Sequence, residues 1–112
     1  MPIPSELIVV IQRLNREFNE IEQKTTDGLN LVRRNLSFFP NNAIMVQYLA
    51  YLNAILFSVE TYRRQVQTTI EVLSPTDVPA EVIQEAGEDL GTLLGRVLET
   101  KTIVSRIIER LE

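Results

Sequence analysis

The sequence predicts an all-α protein: an antiparallel, up-down-up three-helix bundle with coiled-coil-like heptad packing, in a single domain over residues 1–112. Three observations lead there. Proline stands at 2, 4, 40, 75 and 79, which leaves three long uninterrupted segments. Those segments are rich in Leu, Ile, Glu, Arg and Gln, residues that favour helix. Each also carries an apolar stripe whose steps alternate four and three, a spacing that keeps one face toward a partner along a whole helix.

Helix one is expected over about 4–38. Pro4 suits a first turn, and Glu6 behind it complements the positive helix end. Its stripe is Leu7, Ile11, Leu14, Phe18, Ile21, Thr25, Gly28 and Val32. Asp27-Gly28 is a turn signal, and glycine costs a helix interior about 1 kcal/mol. The heptad phase nevertheless passes through Thr25 and Gly28 without a slip. It predicts one helix, continuous or mildly kinked near Gly28, rather than two.

Helix two is expected over about 42–74. Pro40-Asn41-Asn42 reads as a turn followed by a capping asparagine. The stripe is Met45, Tyr48, Leu52, Ile55, Val59, Tyr62, Val66, Thr69 and Leu73. Helix three is expected over about 79–111, with Pro79 and Glu81 repeating the chemistry of Pro4 and Glu6. Its stripe is Ile83, Ala86, Leu90, Leu93, Val97, Thr100, Val104, Ile107 and Leu111. Flanking apolar residues such as Leu29, Phe38, Ile44, Leu49, Leu94 and Ile103 widen these stripes, as a three-helix core requires. A thirty-three-residue helix is roughly 50 Å long, and short links force neighbours antiparallel.

Composition removes whole classes of chemistry. With no Cys, no His and no Trp, the chain has no disulfides, no thiol nucleophile and no His-based acid–base or metal site. Paired carboxylates such as Glu17 and Glu20 read as solvated or dipole-complementing charge, not as a catalytic pair. No enzyme activity and no cofactor are expected. Eleven Lys and Arg oppose fifteen Asp and Glu, a net charge of −4 with the basic residues scattered, which argues against a nucleic-acid partner. Folding the hairpins closed is expected to bring Arg63 and Arg64 among Glu17, Glu20 and Asp89. Residues 43–59 are apolar but for Gln47, Asn53 and Ser58, and seventeen residues sit at the lower limit for a span. A core or interface helix is expected there, not a membrane one. Met1-Pro2-Ile3-Pro4-Ser5-Glu6-Leu7 has neither the basic start nor the cleavage site of a signal peptide, so the chain reads as cytoplasmic.

What remains points to association. The outside of helix two is not polar in its first half: Val46, Ala50, Asn53, Ala54 and Phe57 face away from the stripe. Helix three offers Gly91, Gly95 and Leu98 on its outside, and glycines at that spacing make a shallow groove. Contiguous exposed apolar surface marks a contact site. These eight residues are the expected interface of a homo-oligomer, a two-fold dimer through helices two and three, with a further protein partner as an added possibility. The functional expectation is a scaffold or adaptor. The alternative is a small-molecule-binding bundle whose mid-bundle pocket is built from Thr25, Gly28, Thr100 and nearby Asn53. A third reading is a peripheral membrane protein that opens to expose helix two.

Overall fold

A computed structural model describes residues 3–112. Three α-helices account for nearly all of it: α1 (Ser5–Phe38), α2 (Ala43–Leu73) and α3 (Ala80–Leu111). Each expected boundary is met to within one residue. Pro4 and Pro79 sit one place earlier than expected, at the N-cap positions, and Glu6 and Glu81 lie in the first turns. Asn42 caps α2 by accepting a hydrogen bond from the Met45 amide at 3.3 Å. Its side-chain amide donates to Asn35 Oδ1 at 3.3 Å, so one residue both starts α2 and ties the turn to α1.

The helices lie along one another in a rod of 59 × 19 × 17 Å. Every residue of the three stripes is buried or half-buried. Phe18, Leu14, Ile21, Leu52, Leu90, Val59, Val97 and Val104 are fully enclosed and anchor one continuous apolar cluster. The 3–4 spacing therefore does what it implies: it turns one face of each helix inward over its full length.

Helix α1 runs unbroken through Thr25–Gly28. The Thr25 hydroxyl donates to the Ile21 carbonyl of its own helix at 2.6 Å, which lets a polar side chain be fully buried without a partner from another helix. Gly28 is a point of close approach. A β-carbon there would stand 2.7 Å from Ile108 Cδ1 and 3.2 Å from Leu52 Cδ1, so α2 and α3 both press against bare backbone. Gly87 serves a milder version of the same role against Leu7.

Three residues assigned to the widened core are on the surface instead: Phe38, Ile44 and Ile103. The cause is the way the helices end. Leu111, the last residue of α3, reaches back to Gly28, so the closing turns of α1 run past the end of α3 and leave Phe38 uncovered. Ile103 lies on the seam between α2 and α3, and these two helices approach each other less closely than either approaches α1.

Candidate association surface

The five α2 residues of the expected interface come together on one face, all exposed: Val46, Ala50, Asn53, Ala54 and Phe57. Phe57, near the middle of α2, is 66 % exposed and Val46, in its first turn, 49 %, large fractions for apolar side chains. Of the described helices, α2 alone is long and apolar enough to cross a membrane by length and composition, yet only 17 % of its most apolar window is buried. Leu52, Ile55 and Val59 of this helix enter the core, whereas Ile44, Val46, Tyr51 and Phe57 stay exposed.

The three α3 residues stand elsewhere. Clefts along the α2–α3 seam set Tyr51, Ala54 and Ser58 across from Thr100 and Ile103, and Thr61, Arg64 and Thr68 across from Asp89, Thr92 and Arg96. Gly91 and Gly95 are therefore level with the polar half of α2. A β-carbon at either would meet nothing within 4 Å. Leu98 is half-buried, one heptad before Ser105, which accepts a hydrogen bond from Lys24 of α1 at 3.2 Å; the stripe holding Leu98 leans toward α1.

The seam supplies residues that sequence reasoning placed in the core or passed over. Tyr51 is 53 % exposed and lines clefts with Ala54 and Ile103, and with Arg106 and Arg110. At the α1–α2 turn, Phe38 and Phe39 are exposed beside Ile44. The available signal was an aromatic residue standing off the heptad stripe, which Tyr51 and Phe57 share.

The polar side chains of the middle do not form the expected layer. Asn53 is exposed, Thr100 bonds the Arg96 carbonyl of its own helix, and the space beside Gly28 is taken by Leu52 and Ile108. Charge pairing is also redistributed. Arg63 pairs with Glu22 and donates to Asn19 at 3.0 Å, with its guanidinium 5.3 Å from the centre of the Phe18 ring. This is about one turn from the expected Glu17: Leu52 against Gly28 keeps the expected α1–α2 register, and the long Arg63 side chain reaches on along α1. Arg64 shares a cleft with Asp89 as expected.

Glu17 and Glu20 instead hold Lys101 of α3, at 2.9 and 2.7 Å. Glu17 is buried, and the Lys101 ammonium is the partner of its enclosed Oε2. The Lys101 ammonium, by hydrogen bond and by charge, holds the Glu20 carboxyl below the usual carboxylate range. Hydrogen bonds to Glu20 and then Glu17 push Lys101 above the usual lysine range. Among the described residues no three acidic side chains gather as a metal-binding group. The triad's geometry joins α1 to α3.

Compared with known proteins, the chain matches no family model, no curated protein and no solved structure.

Proposed function

We propose that this chain is a non-enzymatic, cytoplasmic scaffold or adaptor that works by protein association, as a homodimer formed through the outer face of α2 and the adjoining part of α3. In this reading the fold is an antiparallel up-down-up bundle with coiled-coil-like heptad packing. The contacts Leu7–Gly87 and Lys24–Ser105 support a parallel α1–α3 pair, and Arg63–Glu22 with Leu52–Gly28 an antiparallel α1–α2 pair.

One observation carries the functional reading: Phe57 and Val46 are exposed on an α2 face that no other described part of the chain covers. A rod this narrow has little core to spare, and leaving large apolar side chains in water favours burial against another molecule. Light scattering over a hundredfold range of concentration tests it. A mass rising from one chain toward two supports association; one chain's mass at every concentration contradicts it.

A further inference from the structure

Most large apolar side chains left in solvent lie on the half of the rod that holds the α1–α2 turn: Phe38, Phe39, Ile44, Val46, Tyr51 and Phe57. On α1 and α2 that half is nearly uncharged, and its charges stand on α3, with Lys101, Arg106, Glu109 and Arg110. From Gly28 to Val59 the only charged residues are Arg33 and Arg34. The opposite end is acidic, with Glu6, Asp77, Glu81 and Glu85 near the place where Leu7 meets Gly87. The α2 side of the rod is thus apolar toward the α1–α2 turn, and the opposite end is acidic.

Phe57 is 66 % and Phe39 63 % exposed. Aromatic residues of about 150–250 Å² each then leave roughly 250 Å² in water at these two rings. Val46, Gln47, Asn53 and the alanines of the same α2 face, all exposed, extend this toward the roughly 800 Å² that each partner contributes to a stable interface.

We propose that two copies pack antiparallel through α2, with the two-fold axis at Ala50 and with Phe57 of each chain seated on the partner's Ala43. This rests on the self-association reading and adds the orientation and register of the contact. A two-fold contact must be complementary to itself. Turning α2 end for end about Ala50 sets large against small: Phe57 meets the partner's Ala43, and Val46 meets the partner's Ala54. Gln47 meets the partner's Asn53, so the polar groups on this face pair as amides. The turn bearing Phe39 falls beside the partner's Ser58 and Thr61 and is covered there.

Charge selects the antiparallel direction. A parallel pair would stack the two Phe57 rings and lay the two acidic ends side by side. The antiparallel pair sends those ends to opposite extremes of an assembly longer than the 59 Å rod. At physiological salt, with a screening length of about 8 Å, their repulsion then vanishes.

The absence of cysteine makes the register directly measurable, because each introduced thiol is unique. Ala50→Cys, Asn53→Cys and Gln67→Cys, all at exposed positions, are oxidised mildly and read on non-reducing gels beside sedimentation of the untreated proteins. Residues facing each other across the axis come within disulfide reach, a Cα separation of about 4.4–6.8 Å, whereas those a turn or more away do not. The expected result is a disulfide dimer from A50C in most chains and little from N53C or Q67C. A mixture of V46C and A54C chains crosslinks to each other. A dimer in which A50C stays reduced, or in which N53C crosslinks instead, overturns this register and leaves self-association standing. A monomer at every concentration overturns both. Flotation of that monomer with vesicles of anionic phospholipid would give the face to a lipid surface instead.

Discussion

The Cδ1 methyl of Ile108 stands 2.7 Å from the point a β-carbon on Gly28 would occupy, and Leu52 Cδ1 stands 3.2 Å from it. Gly28 is where all three helices meet, and α1 stays continuous across a residue that would otherwise weaken it. Gly91 and Gly95 of α3 have open space at the same test. The two kinds of glycine therefore respond oppositely to a methyl group. Gly28→Ala gains about 1 kcal/mol of helix propensity but overpacks against two methyls, at a cost of about 1–3 kcal/mol, and a net loss near 1 kcal/mol is expected. Gly91→Ala and Gly95→Ala are expected to stabilise by about 0.5–1 kcal/mol each. Urea unfolding at low protein concentration, where association does not contribute, gives both signs.

Lys101→Met leaves the buried Glu17 carboxylate without its cation and is expected to cost about 1–3 kcal/mol at neutral pH. The double variant Glu17→Gln/Lys101→Met should recover part of that loss, because the orphaned charge is gone. Urea midpoints of the wild type, single and double variants check this.

The same triad sets a pH signature. The Glu20 carboxyl is held low by Lys101, so its contribution is present above the ordinary carboxylate range and is lost as pH falls through the lowered value. Lys101 is raised by Glu20 and Glu17, so its contribution is present below the ordinary lysine range and is lost as pH rises through the raised value. The stability gap between wild type and Lys101→Met should therefore be widest near neutrality and narrow toward both extremes. Salt should shrink the part due to the exposed Glu20. Thermal melts across pH measure the gap; a gap constant with pH would contradict this assignment.

Asn42→Ala removes both the N-cap of α2 and the tie to Asn35. A loss of about 1 kcal/mol is expected, read as a lower melting temperature with the helical spectrum intact at 20 °C.

Much of this architecture is legible in the sequence, for physical reasons that particular residues make plain. Pro4, Pro79 and Asn42 mark helix starts through local chemistry, which requires no knowledge of the fold. The stripe from Leu7 to Val32 survives because burial must repeat with the helix period. Relations between helices are harder. Phe38, Ile44 and Ile103 carry core-like character, and only the staggered helix ends and the open α2–α3 seam expose them. The Arg63 partner shifts by about a turn although Leu52 meets Gly28 in the expected register, because a long side chain reaches beyond the level of its own backbone. Lys101 gives no sign in the sequence that it serves Glu17 and Glu20, which lie some eighty positions earlier. The α2 face from Val46 to Phe57 is visible because it breaks the expected polarity of an outer surface. That Gly91 and Gly95 lie level with the polar half of α2 depends on the register of the second hairpin.

The central claim is that the α2 face of one chain is covered by another. Sedimentation equilibrium of wild type and Phe57→Glu side by side tests it most directly. The wild type should fit a monomer–dimer equilibrium and Phe57→Glu a single monomeric species, with equal helicity by circular dichroism. A monomeric wild type, or a Phe57→Glu protein that dimerises as tightly as the wild type, would contradict it.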